Sequence, residues 1–315
     1  MQCNLHLIDI EIGLVVVSAP WWSEDPSGGA SRGRPPGPTA LRIVLGTQLR
    51  RLREARGVTA AAAGHAIRAS HAKISRMELG RVGFRDRDVA DLLTLYGVTD
   101  EQERRAFLTL VRRANVPGWW HQYSDIVASW FEIYLGLEQA SSVIRTYQPQ
   151  LVPGLLQTRD VARVIIQLGH PCPSDDDVER RVALRMARQE ILTQPGAPQL
   201  WAVIEEASLW RLSGRSVMQE QIDHLITMAE LPNVALQVIP IHSSAHVALG
   251  GPFTILRFSD PDLPDIVYLE QLSSALYLDK SEDIQHYRTI MDRLCVQSKS
   301  PAETISFLSN VRKEL

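Results

Sequence analysis

Four residues in one short stretch carry groups able to read the edge of a base pair: His71, Ala72, Lys73 and Arg76. An ammonium or guanidinium suits the paired O6 and N7 acceptors of guanine, and a methyl group suits the thymine methyl. Lys73 and Arg76 stand at i and i+3, so a helix would present them on one face. That chemistry has an effect only if neighbouring elements hold the face in a major groove.

Those elements are legible on both sides. From Leu41 the pattern is helical, with Leu45, Leu49 and Leu52 at i, i+4 and i+7, several arginines between them, and Gly57 as a stop. Thr59 is placed to cap a second helix over 60–67, whose alanines allow close approach of a neighbour. Ser70 is an apt cap for a third helix over 71–79, with Ile74 and Met77 facing inward and Gly80 at its end. Amphipathic stretches at 89–96 and 100–114 complete five helices. A short helix, a sharp turn and a second helix with exposed polar residues make a helix-turn-helix. The first helix braces on the DNA backbone, and the start of the second enters the groove. Arg50, Arg51, Arg53 and Arg81 are then expected at phosphates, with Thr59, Ser70 and Ser75 as further positioning contacts.

The charge distribution agrees. Net charge is −3 over 315 residues, yet residues 41–113 hold 15 Lys and Arg against 8 Asp and Glu, whereas 114–315 hold 16 against 24. A basic module precedes an acidic one, and DNA contact requires only one basic face. Cys3, Cys172 and Cys295 lie far apart, which suggests neither a disulfide framework nor a zinc site and fits a reducing cytoplasm. The apolar run over 5–17 is broken by His6, Asp9 and Glu11 and is shorter than the roughly 20 residues that span a bilayer. No Lys or Arg precedes Arg32, so a secretory signal is not expected. Residues 1–40 read as a tail, with linker composition over 23–38 (SEDPSGGASRGRPPGP); they hold a short strand or lie upstream of a later start.

After PGWW the chain alternates amphipathic helices with β-branched runs. Strands are expected at 143–147, 202–205, 234–239, 253–258 and 266–270, and helices at 123–140, 158–168, 177–192, 216–230, 281–296 and 301–313. The expected fold class is therefore multidomain: an all-α helix-turn-helix domain over 41–114, which the motif described next makes similar to lambda-repressor-like domains, and an α+β regulatory domain over 118–312. Trp119 and Trp120 are expected to pack between the two.

The string KISRMELGR resembles the recognition-helix signature of the XRE class of phage-repressor-like regulators, S-x-x-x-I-S-x-hydrophobic-E-x-G. The resemblance implies that Glu78 ties the end of this helix to the first helix without touching DNA. Two positions depart from the pattern. Ala60 stands where a phosphate-contacting Gln is common, and Arg68 stands where the turn usually has Gly, which implies a modified turn. LGTQLRRLREARG, IRTYQPQLVPGLLQT, VERRVALRMARQEIL, HLITMAELPNVALQVIP and GGPFTILRF are similar to an actinobacterial family of antitoxin-like regulators. It joins such a head to a conserved C-terminal domain formerly of unknown function. That resemblance implies double-stranded DNA as a partner and a small acidic toxin-like protein encoded nearby.

An enzyme is not expected. His242 and His246 are spaced i, i+4 but lie in a strand-and-loop context, and Glu205 and Glu206 are adjacent and point to opposite sides of an extended chain. No GxSxG, P-loop, GxGxxG or HExxH occurs. No cofactor or metal is implied. The second domain remains open to three uses, namely protein partner site, small-molecule effector sensor or dimerisation scaffold. The loop 243–252, VPGLLQT, Trp201 and Trp210 are candidates to line a pocket, or core. A homodimer is expected, because two-fold symmetry places two recognition helices on half-sites roughly 34 Å apart.

Overall fold

A computed structural model describes residues 37–169, 174–211, 214–242, 250–260 and 263–315. The expectations for the tail, and for His246 and most of the 243–252 loop, fall outside the described residues.

Five helices build the basic module: α1 (Pro38–Ala55), α2 (Ala60–Ala66), α3 (His71–Glu78), α4 (Asp86–Leu95) and α5 (Glu101–Ala114). α1 starts three residues before the apolar pattern does, because Pro38 fits the first helical turn, where its missing N–H has no partner to lose. Leu45, Leu49, Ile74, Met77, Leu92 and Leu93 are at most 2% exposed and form the module's core. Each stabilises the fold by about 1.5–3 kcal/mol through burial. Gly46 allows this packing. A Cβ there would lie 2.5 Å from the Met77 carbonyl oxygen, so α1 and the end of α3 meet backbone to backbone.

The C-terminal domain is α+β. Its six strands are β1 (Val143–Gln148), β2 (Gln199–Glu205), β3 (Val234–Ile239), β4 (Phe253–Arg257), β5 (Ile266–Glu270) and β6 (Ala275–Leu278), in the order β3-β2-β1-β4-β5-β6. β1, β2 and β3 run parallel, whereas β4, β5 and β6 add on antiparallel. The helices are α6 (Ser129–Ala140), α7 (Arg159–Gly169), α8 (Asp175–Gln189), α9 (Arg215–Ala229), α10 (Ser281–Gln297) and α11 (Pro301–Glu314). The expected helix over 123–140 begins only at Ser129, as α6; before it come a 3-10 turn at Trp119–Tyr123 and a non-helical stretch over 124–128.

Alternation along β2 divides the core. Leu200, Ala202 and Ile204 face α6, α9 and α11, while Trp201 and Val203 face α10. β3 is a terminal strand buried along its whole length. Its edge groups are met from outside: Lys299 N–H donates to the Val238 carbonyl at 3.0 Å, and Val238 N–H donates to Thr304 Oγ1 at 3.2 Å. VPGLLQT is core, with Val152, Leu155, Leu156, Gln157 and Thr158 all buried.

α1 fastens the two domains together. Ala40 and Val44 pack with Leu263, joined by Phe258 and Ala140, and Gly136 of α6 comes so close that a Cβ would lie 2.0 Å from Thr39 Oγ1. Trp119 and Trp120 do not fill the expected role between domains. Trp120 packs with Leu135 of α6 and Leu184 of α8, inside the C-terminal domain, because the 3-10 turn after Gly118 folds the indole back onto those helices.

Candidate nucleic-acid interface

Two capped helices form the candidate site. Thr59 accepts a hydrogen bond from Ala62 N–H at 3.1 Å and starts α2, and Ser70 accepts from Lys73 N–H at 3.3 Å and starts α3. Between them, Arg68 adopts φ 55° and is the one non-glycine residue with positive φ among the described residues. The turn therefore keeps the geometry a glycine would give it and carries the strain in arginine; the expected modification of the turn is absent. Gly64 is required beside it, since a Cβ there would lie 2.8 Å from the Ala69 carbonyl oxygen.

His71, Ala72, Ser75 and Arg76 are exposed on α3, at successive i, i+4 positions, while Ile74 and Met77 are buried beneath. Arg76 Nε donates to the Ala72 carbonyl at 3.3 Å, which leaves the rest of the guanidinium in solvent.

Lys73 was expected on this face, but the structure turns it away. Its Nζ lies 2.5 Å from Oδ2 of Asp88, a buried carboxylate on α4. The cause is local: Asp88 is nearly dry, and an unpaired charge there would be costly.

The phosphate set also divides. Arg53 donates through Nε to Glu78 Oε1 at 2.6 Å, through Nη2 to Oε2 at 2.9 Å and through Nη1 to the Val58 carbonyl at 2.9 Å. All three nitrogens are engaged internally, so the structure places Arg53 in a contact between helices, whereas the sequence expectation was a phosphate contact. The Glu78 hydrogen bonds raise the Arg53 pKa above its usual value. This pair is the tie between first helix and recognition helix that the sequence resemblance implied for Glu78. Beside it, Tyr96 is pushed up to about 12, first by burial and then by the Glu78 charge.

Arg50 pairs with Glu54 at 2.8 Å. With Arg51, Arg81, Tyr277 and Asp279, these two residues line a cavity of about 320 Å³ where α1 and the end of α3 face the C-terminal sheet. Arg50, Arg51 and Arg81 thus gather at the domain junction. Sequence reasoning passed over two other exposed arginines flanking α3, Arg68 and Arg85. Their signal was position, one in the turn before the recognition helix and one in the segment after it.

Of the residues weighed for catalysis, Glu205 and Glu206 each have a hydrogen-bond partner. Tyr147 donates its hydroxyl proton to Glu205, Glu206 Oε2 accepts from Ile241 N–H at 2.9 Å, and His242 is exposed. Trp201 donates through Nε1 to Gln237 Oε1 at 2.8 Å and lies under the Arg145 guanidinium at 5.2 Å. Trp210 is partly exposed. Among the described residues no group of His, Cys, Asp and Glu could hold a metal ion, and no helix is long and apolar enough to cross a membrane.

The model of a helix-turn-helix domain matches residues 44–107, which spans α1 to α5, and the model of a Domain of unknown function (DUF5753) matches residues 131–310, more than half of the chain. The chain belongs to the DUF5753 family. No curated protein and no solved structure matches it. In this DUF5753 protein the matched domain begins within α6 and ends within α11, so it contains the whole six-stranded sheet. The helix-turn-helix in front of it supports a DNA-binding regulator.

Proposed function

We propose that this chain is a sequence-specific transcriptional regulator of the XRE class that reads a palindromic operator as a homodimer. The observation that carries the reading is the outward face of α3, where His71, Ala72, Ser75 and Arg76 stand exposed on a capped and packed helix. Arg76 suits guanine and Ala72 suits a thymine methyl. Arg68 and Arg85 flank this face and suit phosphates. Two such heads related by a two-fold axis would meet successive half-sites about 34 Å apart. A gel shift on the gene's own upstream region tests this, and failure to retard that duplex at low salt counts against it.

The same reading makes the protein cytoplasmic and antitoxin-like, with the C-terminal domain binding a small acidic partner rather than catalysing a reaction. It is supported by the resemblance of the five sequence segments and by the hairpin β5–β6, whose terminal strand exposes Leu276 beside the fully exposed Leu272. Co-expression with a small acidic open reading frame from the gene's neighbourhood tests it: co-purification at fixed stoichiometry is expected. Clean separation of the two proteins would leave the DNA reading standing alone.

A further inference from the structure

α8 presents three arginines to one void. Arg181, Arg185 and Arg188 stand at i, i+4 and i+7, and together with Trp130 and Phe131 of α6 they line a cavity of about 450 Å³ inside the C-terminal domain. That size lies in the range of small-molecule sites.

The three guanidiniums are not equivalent. Arg188 is committed: Nε and Nη2 donate to Glu138 at 2.5 and 2.7 Å, and Phe131 and Tyr134 lie 5.5 and 5.2 Å from its central carbon. This buried pair builds the wall. Arg181 donates from Nη1 to the Ile126 carbonyl at 2.7 Å, while its buried Nε meets no acceptor among the described residues. Among the described residues Arg185 makes a single hydrogen bond, from Nη1 to Gln157 Oε1 at 2.8 Å. Neither has a carboxylate at ion-pair distance among the described residues. Burial, and then the adjacent Arg188 charge, push Arg185 down to about 10, so it stays charged at neutral pH. A guanidinium has five N–H donors, and leaving them unmet beside an apolar wall is costly.

We propose that this cavity binds a small organic monoanion, a carboxylate, sulfonate or phosphodiester on an aromatic or branched apolar body. The acidic head meets Arg181 and Arg185, and the body lies against Trp130 and Phe131. The exposed Glu270 carboxylate at the rim, held by Tyr268 Oη at 3.1 Å, sets the charge. Two unpaired guanidiniums against one carboxylate leave a single positive charge to neutralise, which disfavours a polyanion. The site gives the sensor use of this domain a location and a ligand class, and it stands whether or not the head reads DNA.

The test uses the full-length protein and 8-anilino-1-naphthalenesulfonate, whose emission rises in an apolar site, with uncharged N-phenyl-1-naphthylamine as the control. Saturable binding of one sulfonate per chain is expected, at least tenfold tighter than the naphthylamine. Arg185→Gln and Arg181→Gln should each weaken the sulfonate tenfold or more and leave the naphthylamine unchanged. Indole-3-propionate should compete, and inorganic phosphate at equal concentration should not. Because either arginine variant could also disturb folding, Ser273→Trp at the exposed rim provides an independent block and should abolish the signal without shifting the melting midpoint. Equal affinity for the charged and neutral probes overturns the proposal. So does sulfonate binding that survives both arginine variants and the rim block.

Discussion

Arg53 and Glu78 meet through two nitrogens and two oxygens across 25 residues of sequence, and the contact joins the end of α1 to the end of α3. Both side chains are largely shielded, at 13% and 8% exposure. Removing one partner would leave the other charge in a dry site, so Arg53→Ala should cost about 3 kcal/mol in a denaturant titration. The double variant Arg53→Met, Glu78→Leu should recover much of that loss. An Arg53→Ala protein as stable as wild type would mean that the pair does not brace the recognition helix.

Lys73 and Arg76 should respond in different ways. Arg76→Ala should relax the preference at one base position in each half-site and cost about 1–3 kcal/mol on the best sequence. Lys73→Ala should leave the selected motif unchanged and instead destabilise the head by about 1–2 kcal/mol, because it strands Asp88. A randomised-site selection on both variants, with melting curves alongside, separates the two effects. A changed motif in the Lys73 variant would place its ammonium on a base after all.

Arg68 occupies left-handed backbone at φ 55°. That conformation costs a non-glycine residue about 1–2 kcal/mol, and glycine's greater freedom in the unfolded chain takes back about 0.5–1 kcal/mol. Arg68→Gly should therefore be modestly more stable, by about 0.5 kcal/mol, while Arg68→Val should be clearly less stable. If Arg68 also meets a phosphate, the glycine variant should lower the slope of log affinity against log salt by about one unit. Arg85→Ala should lower the slope in the same way without the gain in stability.

Gly136 marks a close approach between the domains, where an added Cβ would overlap Thr39 at 2.0 Å from its Oγ1. Gly136→Val should prise α1 from α6. The expected sign is faster proteolysis in the segment between α5 and α6, with the C-terminal core still resistant. Unchanged cleavage would mean that the junction accommodates the methyl groups by other movements.

The helical head was legible because its signals are local. Ser70 and Thr59 cap where their spacing says they should, and the leucine stripe of α1 turns inward. The five β-branched runs became strands for the same reason. β6 escaped notice because Ala275–Leu278 is a short edge strand with three of its four residues only partly buried and one exposed, so it has no buried stripe to show. The side-chain pairings around the site were less legible, and the cause is shared: charge partners lie far apart in sequence. Nothing near Lys73 announces Asp88, and nothing near Glu138 in an apolar helix announces Arg188, fifty residues later. Sequence alone treats such arginines and lysines as solvent-facing, which is the usual outcome but not the one found at Arg53, Lys73 or Arg188.

α1 lends Leu45 and Leu49 to the DNA-binding core and Ala40 and Val44 to the contact with the C-terminal domain. The border of the two domains in sequence is therefore not their border in energy. A head transplanted as α1–α5 onto another regulatory domain would carry an orphaned apolar stripe into water, and a C-terminal domain expressed alone would lack part of its own covering. The two halves of this protein are interchangeable between relatives only if the outer face of α1 is exchanged with whichever sheet it covers.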